Sequence, residues 1–153
     1  VTGESIFFTG PAGCGKSVLL SQIIKHMRKK FSYDEVYITA PTGVAACNIG
    51  GCTIHSFGGF GIGDQDAETL ASIVLRNKNS VKRWLSASVL IIDEISMLSG
   101  ELFDKLEYVA RKVRERDEPF GGIQLIMCGD FFQLPPVSKE GQNSTKSNEK
   151  FCF

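Results

Sequence analysis

The sequence contains no apolar run approaching the ~18 residues that a membrane-crossing helix needs, so no membrane partner is expected. It carries no excess charge, with 17 lysines and arginines against 17 aspartates and glutamates. That excludes a histone-like basic coat, though not a local basic groove. The five cysteines (Cys14, Cys47, Cys52, Cys128, Cys152) are an odd count without a C-x-x-C pair. They give little support to structural zinc or a disulfide framework, and a reducing, intracellular setting fits better. No basic-then-apolar leader opens the chain, which starts at Val1, so a cleaved or cloned piece of a longer protein is expected.

What is present is enough for one folded domain. The chain has 153 residues, 42% hydrophobic and 22% charged, which excludes disorder over most of its length. Ser5–Thr9, Glu35–Ala40, Val89–Asp93 and Ile123–Cys128 read as strands, near-continuously apolar as in a parallel sheet covered on both faces. Between them, Lys16–Lys30 reads as a helix with Val18, Leu19, Ile23, Ile24 and Met27 on one face and a basic last turn. Leu102, Leu106, Val109 and Val113 make an apolar stripe on a helix from about Gly100 to Glu115. Seven of the sixteen glycines fall between Gly43 and Gly63, so that stretch reads as mostly loop with at most short helices. Helices are expected over Asp66–Arg76 and Ser80–Leu85. Alternating strands and helices give an α/β fold with a mainly parallel sheet flanked by helices. Residues 1–137 form the domain; residues 138–153 read as a polar, flexible linker ending in the start of an incomplete apolar element.

The first strand runs into Gly10-Pro11-Ala12-Gly13-Cys14-Gly15-Lys16-Ser17, the pattern G-x-x-x-x-G-K-[ST] with a strand before and a helix after. Glycines let backbone N–H groups turn onto phosphate oxygens, and the helix N-terminus adds partial positive charge. Lys16 is placed to neutralise β- and γ-phosphate charge and Ser17 to coordinate Mg²⁺. Cys14 contributes a backbone N–H, its side chain being a spectator. The strand Val89–Ile92 delivers Asp93 and Glu94 at its C-terminal end, where open α/β sheets bind ligands. Asp93 suits Mg²⁺, directly or through water, and Glu94 suits the orientation and deprotonation of an attacking water. Gln133, beyond the fourth strand, can reach a γ-phosphate if that strand lies between the first and third.

Together these motifs resemble superfamily-one helicases. Gly10–Ser17, Asp93-Glu94 and GDFFQLPPV are similar to motifs I, II and III. Ala40–Ala46 resembles motif Ia, and Thr53–Phe57 the DNA-contacting motif that follows. Glu94–Gln124 resembles the signature of the Pif (petite integration frequency) DNA helicases, closest to eukaryotic members. The resemblance implies the first RecA-like domain of a 5′→3′ DNA helicase that unwinds forked duplexes, G-quadruplexes and RNA–DNA hybrids in nuclear and mitochondrial genome maintenance, telomeres included. It implies ATP and Mg²⁺ as cofactors. Lys16 and Ser17 would then bind nucleotide and metal, Asp93 the metal, with Glu94 as base and Gln133 as phosphate sensor. The upstream adenine-reading glutamine motif and the second RecA-like domain, with its arginine finger, are not in the sequence, so half an ATP site and half a DNA track are expected.

On that resemblance the DNA track falls on Pro41–Phe60, which offers hydroxyls, backbone N–H groups and an imidazole in place of a lysine run. Such groups suit sequence-independent contact to one strand's phosphates. Pro41, Thr42, Gly43, Thr53, His55, Ser56 and Phe60 are the candidates. Phe57 is assigned to the core; Phe60, between glycines, is open between core and base stacking. Arg111, Lys112, Arg114 and Arg116 read as a solvated, dipole-complementing helix end, with Glu107–Arg111 an i,i+4 pair. Other functions are a P-loop kinase, for which no arginine-rich lid follows the third strand, and a non-catalytic nucleic-acid-binding module, against which Lys16 and Glu94 argue. A GTPase is rejected, because Asn77-Lys78-Asn79-Ser80 lacks the aspartate of a guanine reader.

Overall fold

The computed structural model describes residues 3–131. Gln133 and the expected linker at 138–153 lie outside the described residues. Strands β1 (Ile6–Thr9), β2 (Val36–Ala40), β3 (Cys52–Thr53), β4 (Val89–Ile92) and β5 (Gln124–Gly129) form one parallel sheet in the order β1-β5-β4-β2-β3. The four strands read from the sequence are all present to within a residue at each end. The edge strand β3 is not among those readings. At two residues it has no periodicity to detect, and it exists through pairing of Cys52 and Thr53 with Thr39 and Ala40.

Both faces of the sheet are covered, which is why its central strands are apolar throughout. Val89 and Ile91 of β4 turn to one face and pack with Val36, Ile38, Ile126 and Cys128 beneath helix α1 (Lys16–Lys30). Leu90 and Ile92 turn to the other face, with Leu125, and meet α3 (Ile54–Gly58), α4 (Ala67–Arg76), α5 (Lys78–Ser86) and α6 (Gly100–Arg114).

Helix α1 seats on a different stripe from the one read in the sequence. Leu20 and Met27 are fully buried, with Ile23 and Ile24 packed beside them, whereas Val18 and Leu19 are exposed at 68% and 50%. The spacing explains it: positions 20, 23, 24 and 27 follow i, i+3, i+4, i+7, while Val18 lies on the opposite side of the wheel. Between Gly43 and Gly63 the chain is also more regular than a loop. It forms α2 (Gly43–Asn48), β3 and α3 in succession, each helix started by a threonine cap. Thr42 Oγ1 accepts from the Ala45 N–H at 3.3 Å, and Thr53 Oγ1 from the Ser56 N–H at 3.1 Å.

The basic end of α6 is the clearest departure from expectation. Glu107 and Arg111 do pair, at 2.8 Å, and Lys112 and Arg116 are exposed. Arg114, by contrast, is half-buried and spends its donors on carbonyls. Its guanidinium donates to the carbonyls of Trp84 (2.6 Å), Leu85 (3.2 Å) and Ala87 (2.8 Å) at the end of α5, and to Gly121 (2.7 Å). One planar fork thus satisfies orphan carbonyls that α5 cannot satisfy itself. Arg114→Ala is expected to cost about 2–3 kcal/mol, the range for losing charged hydrogen bonds and stranding their acceptors. Arg114→Lys should recover only part of this, because an ammonium cannot fan across the four carbonyls. Urea unfolding of the three proteins checks this; an Arg114→Ala midpoint equal to wild type would contradict it.

Candidate active site and nucleic-acid interface

The phosphate-loop pattern occupies the turn between β1 and α1. Gly13 and Gly15 lie at φ 79° and 91°, a region that disfavours any Cβ, and this lets the loop fold back over its own N-terminus. The Cys14 N–H, expected to point at phosphate, donates in this conformation to the Pro11 carbonyl at 3.3 Å. The Cys14 side chain lies exposed, its sulfur folded over Gly10. Lys16 donates to the carbonyls of Gly10 and Pro11, the latter at 2.9 Å. Its ammonium also lies 3.8 Å from a carboxylate oxygen of Asp130, whose side chain is only 3% exposed. Ser17 is exposed at the first turn of α1.

Asp93 and Glu94 follow β4 directly and are half-buried. The Asp93 N–H donates to the Thr39 carbonyl (2.9 Å), tying the acidic step to the end of β2. Asp93 Oδ1 accepts from the Glu94 N–H at 2.9 Å. Glu94 adopts a left-handed backbone (φ 51°, ψ 42°) that costs a non-glycine residue about 1–2 kcal/mol. The tight turn beyond it packs on Gly129, where an added Cβ would lie 2.8 Å from Ile95 Cγ2 and 3.2 Å from the Ile95 and Ser96 nitrogens. Burial, and then the charge of Asp93, push the Glu94 carboxyl above its ordinary value; Asp130 adds to the push and Lys16 opposes it. Burial, followed by the Asp93 charge, pushes the Cys128 thiol up to about 12.

The fourth strand read from the sequence, β5, does lie between β1 and β4. It brings two site residues that sequence reasoning passed over, Cys128 and Asp130. A carboxylate just beyond a strand end, in a stretch already matched to a motif, is the signal that could have found Asp130, though its burial shows only in the fold.

The DNA candidates gather at the same edge of the sheet, at the ends of β2 and β3. Pro41, Thr42, Thr53 and His55 are half-buried, and Gly43 and Ser56 are exposed. Each threonine oxygen is used as an acceptor in its cap, and a hydroxyl so used still carries an O–H donor. Phe60 does not fit its place in this group. It is 4% exposed, packs over Gly58 and meets the His55 ring edge-on at 6.2 Å, so its face is not presented to a base. Phe57 is fully buried between Tyr37 and Trp84, as assigned. The segment is held from behind by α5, another contribution sequence reasoning missed. Arg83 donates to the Phe57 (3.1 Å) and Ser56 (3.2 Å) carbonyls, and the Trp84 indole to Gly58 (3.1 Å).

A family model described as PIF1-like helicase matches residues 1–152. The chain belongs to the PIF1-like helicase family. It is 55% identical over 144 residues to the ATP-dependent DNA helicase PIF1 of Saccharomyces cerevisiae, an alignment covering 94% of this chain and 17% of that protein. It is 48% identical over 149 residues to the ATP-dependent DNA helicase RRM3 of the same yeast, covering 97% of this chain and 20% of the relative. The chain therefore spans about a fifth of the length of these relatives. Among solved structures, the Pif1 helicase of Candida albicans superposes with a TM-score of 0.87 at 56% identity, over 90% of this chain and 31% of that one. A Bacteroides Pif1 bound to single-stranded DNA superposes at 0.72 with 41% identity, covering 90% of this chain and 31% of that one. A Bacteroides Pif1 in complex with ADP-AlF4 gives 0.70 at 39% identity, over 90% of this chain and 31% of that one. The expected RecA-like fold of a PIF1-like helicase domain is thus the observed one.

Replacing Phe60 with Ala is expected to lower stability by about 3–5 kcal/mol, as for other buried aromatic truncations. His55→Ala, at a half-buried position, should cost far less. Thermal or urea melts of the two variants check this, and a Phe60→Ala protein as stable as wild type would return Phe60 to the surface.

Proposed function

We propose that this domain is the nucleotide-binding half of an ATP-driven 5′→3′ DNA helicase motor. One observation carries the reading: the phosphate loop, the Asp93-Glu94 step and the end of β5 converge on one sheet edge, with the Lys16 ammonium 3.8 Å from Asp130. Lys16 and the loop N–H groups would hold the β- and γ-phosphates of ATP. Glu94, its carboxyl raised toward the range useful to a base, would take a proton from the attacking water. Gln133 is retained as the phosphate sensor on the strength of its motif.

The residues present fit Mg²⁺. Ser17 and Asp93 supply hard oxygen donors. Asp93, Glu94 and Asp130 outnumber Lys16, so a divalent cation would relieve the excess of negative charge. Among the described residues no group of three or more His, Cys, Asp or Glu side chains forms a self-sufficient metal cage. Mg²⁺ would accordingly be shared with phosphate oxygens, and when bound it would neutralise charge on the leaving phosphates.

Single-stranded DNA would run over Thr42, Gly43, Thr53, His55 and Ser56, with Pro41 setting the bend out of β2. Relatives crystallised with single-stranded DNA and with ADP-AlF4 support both halves of this reading. A second RecA-like domain would supply the arginine finger and close the DNA track. Forked duplex, G-quadruplex and RNA–DNA hybrid substrates, and roles in replication, repair, recombination and telomere maintenance in nucleus or mitochondrion, are proposed from the family alone.

In a chain extended to the length of its relatives, Lys16→Ala should weaken Mg·ATP binding. Glu94→Gln should bind ATP but lose ~10²–10⁴-fold in hydrolysis, the range for a positioned base. Nucleotide titration and turnover assays separate the two, and undiminished turnover in Glu94→Gln would remove Glu94 from its role. His55→Ala should weaken oligonucleotide binding uniformly across sequences, since phosphate contacts carry no base information. Fluorescence anisotropy reads this, and unchanged affinity in a well-folded His55→Ala protein would place the track elsewhere.

A further inference from the structure

We propose that Arg83 is a positioning residue for the DNA contacts of His55 and Ser56, its guanidinium holding the end of α3 at the angle those contacts need. The inference rests on the reading of His55 and Ser56 as DNA contacts.

Helix α3 has five residues, too few to persist unaided. Ile54 and Phe57, both 0% exposed, fix its inner side. His55 and Ser56 are the half-buried and exposed residues between them. The last carbonyls of a helix have no partner within it. Here the His55 carbonyl accepts from the Gly59 N–H at 2.9 Å, and the next three are taken by side chains of α5. Arg83 Nε donates to the Phe57 carbonyl (3.1 Å) and Nη2 to that of Ser56 (3.2 Å). The Trp84 indole donates to that of Gly58 (3.1 Å).

Arg83 is itself held. It is half-buried, and Nη2 also donates at 3.1 Å to Oγ of Ser80, a residue with no exposed surface. The turn out of α3 closes over the same pair. Gly59 lies at φ 73°, and a Cβ there would stand 2.1 Å from Ser80 Oγ and 2.9 Å from Arg83 Nη2. A planar guanidinium can serve these three oxygens at once, which an ammonium on a flexible stem cannot. Without the fork, Ile54 and Phe57 would stay in the core while the carbonyl end tilted. His55 and Ser56 would then shift together against the phosphates, and a contact set loosened by a fraction of an ångström loses affinity.

The test uses the chain extended to the length of its relatives, with variants Arg83→Ala, Arg83→Lys, His55→Ala and the Arg83→Ala/His55→Ala double variant. Binding of a labelled oligothymidylate is read by fluorescence anisotropy across a salt series, with melting curves and ADP affinity without DNA alongside. Arg83→Ala should weaken DNA binding ~10-fold, within the range for coupled neighbours, and leave ADP affinity unchanged. Arg83→Lys keeps the charge without the fork and should stay ~5-fold weaker than wild type. The double variant should lose less than the product of the two single effects, because Arg83 acts through the contacts that His55 makes. The salt slope of Arg83→Ala should match wild type, since no phosphate contact of its own is lost. Should Arg83→Ala fail to fold, Arg83→Lys, which keeps the stem and the charge, carries the comparison.

If His55→Ala weakens binding while the Arg83 variants do not, the inference fails and the reading of His55 stands. If His55→Ala itself leaves affinity unchanged, that reading fails and the inference with it. Wild-type affinity in Arg83→Lys, with a salt slope reduced by about one in Arg83→Ala, would make Arg83 a phosphate contact instead. Lower melting temperatures with unchanged DNA affinity would make it a structural residue only.

Discussion

The site depends on the insertion of β5 between β1 and β4. The phosphate loop hangs from β1 and the acidic step from β4, and these strands are not neighbours. Pairing of β5 with Ile6–Thr9 on one side and Val89–Ile92 on the other fixes their relative height. The loop and the carboxylates therefore emerge at one edge. Asp130, just past β5, can then approach Lys16. Gly129 before it leaves room for the tight turn after Glu94, whose left-handed backbone the surrounding packing must hold.

On the opposite face of the sheet, α5 holds two elements in place through its own side chains and its carbonyls. Arg83 and Trp84 grip the carbonyls at the end of α3, which carries His55 and Ser56. The carbonyls at its own C-terminal end are gripped in turn by Arg114 of α6. The proposed DNA-contacting segment is thus braced through a chain of charged and indole donors to the signature helix. The Asp93 N–H bond to Thr39 gives a second, shorter link, from the acidic step to the strand that leads into Pro41 and Thr42.

Much of the fold was legible because the strands are short, apolar and separated by recognisable helices. The nucleotide motifs were legible because their glycines, lysine and carboxylates occur at fixed spacing. What escaped was mostly non-local. Strand β3 exists only through its partner. The burial of Phe60 follows from a close approach to Gly58 that nothing in its neighbourhood of small residues announces. Arg114 looked like its solvated neighbours because charge patterning cannot distinguish a surface arginine from one that reaches carbonyls on another helix. The face of α1 was misjudged for a local reason: Val18 and Leu19 were counted in place of Leu20, although Leu20 completes the i, i+3, i+4, i+7 series. Asp130 acquires its partner Lys16 only once the strand order is known.

If the sites proposed for nucleotide and for DNA, which share one edge of the sheet, act as one unit, hydrolysis must respond to DNA. The direct measurement is steady-state ATP turnover by a chain extended to the length of its relatives, with and without single-stranded oligonucleotide. The account predicts slow turnover alone and strong, saturable stimulation by single-stranded DNA of any sequence. Turnover that is indifferent to DNA, in a protein that binds both ligands, would contradict it.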